Sequence, residues 1–206
     1  MPRLIILDRD GVINQDSDDY IKSVAEFIPI PGSLEAIAQL CQAGYSVMVA
    51  TNQSGIARQL FTLETLEAMH KKLQLLLAPL GGKIEQFYYC PHGPDEQCTC
   101  RKPKPGMIIQ IAHDFFSAEG SFQAEGSLKA EGSLSDVYVI GDSLRDLEAG
   151  RTAGARVALV KTGKGMRSLE KIRQDNLSEY AQLPVFTDLA DFTQQLLGSN
   201  TLNAKK

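Results

Sequence analysis

Short runs of aliphatic and β-branched residues alternate along this chain with longer stretches in which apolar residues recur every three or four positions. Arg3 to Leu7 is the first short run, and it ends at Asp8. Pro31-Gly32-Ser33 opens a helix, with Ser33 suited to its N-cap, Leu34, Ile37, Ala38 and Leu40 on its apolar face and Gly44 just past its end. Tyr45 to Ala50 predicts a second strand, ending at Thr51. Thr62 is placed to cap a helix in which Leu66, Met69, Leu73, Leu76, Leu77 and Leu80 repeat at helical spacing until Gly81-Gly82 stops it. Ile84 to Tyr89 is a third strand, and a helix runs from Pro105 to Phe116. Asp136 to Ile140 is a fourth strand, followed by a helix from Ser143 to Ala153 and a fifth strand from Arg156 to Val160. Val185-Phe186 predicts a short sixth strand, and Asp188 caps a last helix to about Leu197.

This alternation predicts an α/β fold whose largely parallel sheet is covered by helices on both faces. The polar residues that look chemical stand just after the strand runs: Asp8 and Asp10, Thr51 and Asn52, Asp142. In open α/β sheets ligands bind outside the carboxyl ends of the strands, so these distant positions are expected to converge. Residues 117–134 carry three near-copies of a six-residue unit ending Ala-Glu-Gly-Ser and an apolar residue. They read as an expanded surface loop. With 206 residues, the chain is expected to form one domain over 1–197, with 198–206 a disordered tail.

Composition changes little in this picture and removes some function classes. A net charge of −4 and a pI near 5.4 argue against nonspecific binding to nucleic acid or to anionic membrane. No apolar run approaches the length of a membrane span, and the chain is read as a cytoplasmic monomer. Of four cysteines, three crowd into Cys90 to Cys100, which in a reducing compartment suggests a metal and not disulfides. Cys90, His92, Cys98 and Cys100 supply the Cys₃His set of a structural Zn²⁺ site. Such a loop would aim the Arg101 and Lys102 that follow it. Cys41, His70 and His113 lie on predicted helices and are read as structural, Cys41 as a buried apolar residue.

Four short segments carry candidate chemistry. In Asp8-Arg9-Asp10-Gly11, one carboxylate can attack phosphorus while the other shuttles the proton. Taken alone, the same residues make an acidic turn. Thr51-Asn52-Gln53-Ser54-Gly55 offers donors to phosphoryl oxygens, or plain turn chemistry. Arg101-Lys102-Pro103-Lys104 supplies cations for a phosphate, or a solvated basic turn. Gly141-Asp142-Ser143 ends a strand with a carboxylate able to hold Mg²⁺, while Ser143-x-x-Asp146 also resembles a capping box.

In this order the four segments resemble the motifs of the haloacid dehalogenase superfamily of phosphatases. The resemblance implies a Rossmann-like fold, here without a large cap domain. It implies Asp8 as nucleophile, Asp10 as general acid/base, Thr51 and Lys102 as phosphate ligands, and Mg²⁺ held by Asp8, Asp142 and the Asp10 backbone carbonyl. Asp146 matches the second acidic position of the last motif. Within the superfamily, the Cys/His loop is similar to that of the D-glycero-D-manno-heptose 1,7-bisphosphate phosphatases and the histidinol-phosphate phosphatases. Asn52 to Arg58 with Phe61-Thr62, Lys104 to Met107, and Thr162-Gly163-Lys164 look closer to the heptose group. That implies a sugar phosphate substrate dephosphorylated at C7, with Asn52, Arg58, Arg101 and Lys104 as candidate substrate contacts. Alternatives on the same residues are a histidinol-phosphate phosphatase, a phospho-accepting receiver domain, and a zinc-stabilised binding module without chemistry.

Overall fold

The computed structural model describes residues 3–118 and 134–203. β1 (Arg3–Leu7) is the axis of the molecule: its residues Leu4 to Leu7 are all buried, as a strand covered on both faces must be. β2 (Tyr45–Asn52) pairs with it on one side and β4 (Tyr138–Gly141) on the other. β3 (Gln86–Cys90), β5 (Arg156–Val160) and β6 (Val185–Phe186) complete a six-stranded sheet in the order β3-β2-β1-β4-β5-β6, parallel throughout. The chain winds outward from β1 in one direction, then returns to β4 and winds the other way. The reversal opens a crevice beyond the carboxyl ends of β1 and β4.

Alternate strand residues feed two cores. Ile5, Leu7, Val47, Val49, Ile140 and Val160 pack against α1 (Ser33–Gln42), α2 (Leu63–Leu77) and α6 (Leu189–Asn203). Leu4, Ile6, Met48, Ala50 and Val139 pack on the other face against α3 (Gly106–Ala118) and Ala149 of α4 (Leu144–Thr152). Each fully buried aliphatic side chain contributes about 1.5–3 kcal/mol over leaving it in water. The two-faced core therefore fixes which strand ends meet.

Several local expectations change. The N-cap of α1 is Gly32, left-handed at φ 84°, and the Ser33 hydroxyl instead donates to the Ile13 carbonyl at 2.7 Å, tying the helix to the loop after β1. β3 starts two residues later than the apolar run suggests. The Gln74 side chain occupies both backbone groups of Ile84, donating to its carbonyl at 2.6 Å and accepting its N–H at 3.0 Å. The ladder extends at its other end to Cys90, which pairs with Asn52 at the end of β2. Cys41 is half-buried, its thiol set against the Lys83 carbonyl at 3.3 Å.

α5 (Gly165–Gln174) has no counterpart in the periodicity reading. Its buried positions are Gly165 and Ser168 rather than a row of large apolar residues, so its docking is polar: Ser168 donates to the Asp142 carbonyl at 2.8 Å and Arg167 pairs with Asp18 at 2.9 Å. α6 continues past Gly198, where an unstructured tail was expected, because propagating an existing helix adds one bond per residue fixed. The repeat segment, expected to be a surface loop, falls outside the described residues apart from its ends.

His70 on α2 is buried and stacks on Phe87 of β3, ring centroids 4.0 Å apart. Burial, helped by the nearby Arg9 guanidinium, pushes its pKa from 6.5 down to about 3. The unfolded chain therefore binds the extra proton, and the His70 contribution to stability is lost as pH falls from 6.5 toward about 3. We expect His70→Phe, which keeps a stacked ring, to remove a slope approaching roughly 1.4 kcal/mol per pH unit in that window. Urea unfolding of both proteins at pH 7, 6 and 5 checks this; parallel curves would contradict it.

Candidate active site

Asp8 leaves the end of β1 with its N–H bound to the Ile140 carbonyl of β4 at 2.9 Å, so its backbone is pinned at the crevice. Lys102 reaches the same point from the segment after β3. Its ammonium lies 3.0 Å from Asp8 Oδ1, 2.5 Å from Asp146 Oδ1 and 2.6 Å from the Ala50 carbonyl, three acceptors for three protons. The side chain is 3% exposed. Burial alone would lower its pKa, but Asp146 and Asp8 outweigh that and hold it above the ordinary lysine value. Its backbone is also fixed. The Asn52 side chain accepts the Lys102 N–H at 3.1 Å and donates to the Lys102 carbonyl at 2.9 Å, a two-bond bridge from the end of β2.

Asp142 follows β4 and faces Asp8. Its Oδ2 accepts the Lys164 N–H at 2.7 Å and rests between two glycines. A Cβ on Gly11 or Gly163 would come within 2.0 or 2.1 Å of that oxygen, and both residues have positive φ, so neither position admits a side chain. Asp146 accepts the Ser143 N–H and hydroxyl at 3.0 and 2.6 Å through Oδ2, the expected capping box, while its Oδ1 meets Lys102. Asp146 therefore caps α4 and pairs with Lys102 at the same time.

Asp8, Asp142 and Asp146 bring ligand oxygens within 4.8 Å of one another. Burial, then repulsion from Asp146 and Asp8, pushes the Asp142 pKa to about 8. Burial likewise raises Asp8 to about 7, opposed by Lys102 and reinforced by Asp146 and Asp10. Three clustered carboxylates with one ammonium, paired to two of them, leave excess negative charge among hard oxygen donors, the setting that Mg²⁺ suits.

Asp10 is treated oppositely. Burial would raise its pKa, but Arg9, with Asn14 and Gln53, pulls it below the ordinary value. Arg9 donates from Nε and Nη2 to Oδ1 at 3.0 and 2.8 Å and from Nη2 to Oδ2 at 2.9 Å. Asn14 donates to Oδ1 at 2.8 Å, and Gln53 to Oδ2 at 2.9 Å. The same Gln53 amide donates to Thr51 Oγ1 at 2.9 Å. Arg9 and Gln53 were not singled out by the sequence reading; the signal for Arg9 was its place between two aspartates.

The Cys/His loop immediately precedes Lys102 in the chain. Cys90 Sγ lies 3.7 Å from Cys98 Sγ and 3.5 Å from His92 Nδ1, and Cys100 Sγ lies 3.4 Å from the same nitrogen. A tetrahedral ion with Zn–S about 2.3 Å and Zn–N about 2.0 Å spaces its ligand atoms about 3.5–3.8 Å apart. The four side chains therefore fit Zn²⁺. Arg101 donates to the His92 carbonyl at 3.1 Å, so the loop also steers that guanidinium.

Above these groups lies a cleft of about 400 Å³, walled by Arg58, Arg101, Arg145 and Lys164 and by Asp16 and Asp18. Arg58 stands over the Tyr20 ring at 5.9 Å, and Lys164 pairs with Asp16 at 2.5 Å. Thr51 and Asn52 also border the cleft, although the Asn52 amide is spent on Lys102. Lys104, an expected substrate contact, is absent from the wall: its ammonium donates to the Cys98 carbonyl at 2.6 Å and braces the loop.

Comparison with known proteins agrees with this geometry. The HAD-hydrolase-like family model matches residues 99–192. A D-glycero-beta-D-manno-heptose-1,7-bisphosphate 7-phosphatase from Pseudomonas putida is 51% identical over 95% of this chain and 99% of its own length. The enzyme of the same name from Neisseria meningitidis serogroup B is 48% identical over 97% of each chain. The crystal structure of the D,D-heptose 1,7-bisphosphate phosphatase of B. bronchiseptica, complexed with magnesium and phosphate, superposes with a TM-score of 0.81 at 45% identity. It covers 96% of this chain and 99% of that one.

If Zn²⁺ holds the loop that carries Arg101 and Lys102, chelating it should weaken substrate binding and fold stability together. We expect a higher KM and a thermal midpoint lowered by about 2–8 °C, the shift for a loss of roughly 1–2 kcal/mol in a chain of this size. Zinc content, melting curve and steady-state kinetics on the same sample check this. Unchanged KM and midpoint in protein verified free of zinc would contradict it.

Proposed function

The chain belongs to the D-glycero-beta-D-manno-heptose-1,7-bisphosphate 7-phosphatase family of HAD-like hydrolases, and from that membership we infer that it removes the C7 phosphate of a D-glycero-D-manno-heptose 1,7-bisphosphate. One grouping at the mouth of the sheet supports the chemistry: Asp8, Asp142 and Asp146 close together, with the Lys102 ammonium paired to Asp8 and Asp146. The enzyme is a magnesium-dependent phosphatase.

Asp8 is the nucleophile in this reading. Its Oδ1 is held by the Arg9 N–H at 2.7 Å and by Lys102 at 3.0 Å, which fixes the plane of the carboxylate before attack. A carboxylate oxygen attacks phosphorus, the P–O bond to C7 breaks, and Asp10 delivers the proton to the departing oxygen. Asp10 then takes a proton from water as that water attacks the aspartyl-phosphate and frees Asp8. Lys102 and the Thr51 hydroxyl bind phosphoryl oxygens. Mg²⁺, held by Asp8, Asp142 and the Asp10 carbonyl, supplies positive charge to the phosphoryl group and nucleophile. Arg58 and Arg101 on the cleft wall are the contacts assigned to the sugar and its second phosphate; Lys104 is left with the loop.

Residues 1–197 act as one domain in this reading, since one sheet carries both cores. The protein works as a cytoplasmic monomer on a small sugar phosphate, and no helix among the described residues is long and apolar enough to cross a membrane.

Asp8→Asn should abolish turnover, leaving under about 1% of kcat, because an amide does not form the aspartyl-phosphate. Phosphate release with Mg²⁺ checks it, and retained turnover would remove Asp8 from that role. For the substrate, kcat/KM should favour the heptose bisphosphate over histidinol phosphate by about 100-fold, roughly 2.7 kcal/mol in the transition state. The reverse preference would keep the mechanism and reassign the pocket.

A further inference from the structure

Arg9 is the largest fully buried side chain among the described residues and does not line the cleft, yet its guanidinium is committed to one catalytic group. It grips both oxygens of Asp10. The guanidinium stands over the Phe27 ring at 5.8 Å, and Nη1 meets Met69 Sδ at 3.9 Å. Phe27 and Met69 are themselves fully buried, so the fork has no room to swing. Its backbone is equally committed: the Arg9 N–H binds Asp8, and its carbonyl accepts from Val12, Ile13 and Asn14. One residue thus joins the nucleophile to the acid/base.

An ionised carboxylate has about four lone-pair directions. On Asp10 they are met by the Arg9 fork, Asn14 and Gln53, so a proton can be carried only where one donor lets go. Arg9 and Asn14 are fully buried, with 0% exposure. Gln53 lines the cleft and already shares its amide with the Thr51 hydroxyl. The Asn14 amide likewise donates to the Gln15 carbonyl at 2.8 Å, but of the three residues gripping Asp10 it is Gln53 that borders the cleft, so the donor that a substrate can displace is the one on Oδ2.

We propose that Arg9 is a positioning residue for the reaction: its immobile fork aims the Asp10 carboxyl, with Oδ2, released by Gln53, as the oxygen that exchanges the proton. The inference rests on the acid/base reading of Asp10. In the first step the Oδ2 proton passes to the C7 oxygen as its bond to phosphorus breaks and the bond from Asp8 to phosphorus forms. The carboxylate left behind is received by the guanidinium. In the second step a proton from the attacking water returns to Oδ2 as the bond between Asp8 and phosphorus breaks.

The test uses leaving groups. A sugar alkoxide needs the proton, whereas nitrophenolate departs without it. First-turnover leaving-group release is measured in the Mg²⁺- and Zn²⁺-loaded enzyme for heptose 1,7-bisphosphate and for p-nitrophenyl phosphate, in wild type, Arg9→Lys, Arg9→Met and Asp10→Asn. General acid help is worth roughly 10²–10⁴-fold, so both Arg9 variants should lose about 100-fold on the sugar phosphate, with KM within about twofold, and under about tenfold on the aryl ester. Arg9→Lys should not rescue, since an ammonium does not reproduce the fork. Equal losses on both substrates, no loss, or failure of both variants to fold would assign Arg9 to the core and overturn the proposal. If Asp10→Asn shows no dependence on the leaving group, the acid/base reading itself fails. If it shows one and the Arg9 variants do not, the Arg9 inference alone fails.

Discussion

The buried Lys102 ammonium is the contact on which the rest of the site depends. It joins a strand-end carbonyl, the Asp8 carboxylate and the capping carboxylate of α4. Those groups come from β2, from the loop after β1 and from α4, so one ammonium ties three elements together. Removing one partner of a buried ion pair costs about 3–5 kcal/mol, because the remaining charge has no solvent to turn to. Here removing the ammonium would leave carboxylates facing one another. The same crowding gives the site its affinity for a divalent cation, so stability and chemistry draw on one arrangement.

Such a lysine needs its backbone held, and two devices do so from opposite sides. Asn52 bridges to it from the last residue of β2, and the Cys/His loop closes the chain between β3 and Lys102. The extension of β3 to Cys90 puts the first thiolate level with Asn52. The metal loop therefore starts from the sheet itself, and Lys104 and Arg101 brace it through the Cys98 and His92 carbonyls. The Cys/His cluster is thus continuous with the sheet that carries Asp8 and Asn52.

Asp8 and Asp10 show how two carboxylates two residues apart acquire different chemistry. Both are half-buried, and loss of solvent pushes both toward the protonated form. Asp8 shares its lysine with a second carboxylate and faces like charges, so its pKa stays raised. Asp10 has a guanidinium to itself and two amides, and is driven the other way. The difference comes from the count and charge of the neighbouring donors.

The sequence by itself determined the strand runs, their parallel arrangement, the convergence of Asp8, Asp10, Thr51, Asn52 and Asp142, and the Cys₃His set. Periodicity and motif order are local properties, and each strand end carried its own chemistry. Tertiary structure decided what local pattern does not encode. α5 docks through a serine and an arginine, so no apolar stripe announces it. Ile84 leaves the ladder because Gln74, ten residues earlier, takes its backbone groups. Asn52 and Lys104, polar residues beside a pocket, bind backbone because the fold brings a carbonyl within reach before any ligand does. Arg9 reads as a solvent-loving residue in a turn, and only the enclosure by Phe27, Met69 and Asp10 converts it into a buried clamp. Side-chain partnership across distant segments depends on packing, and packing is a property of the assembled layers rather than of any stretch of chain.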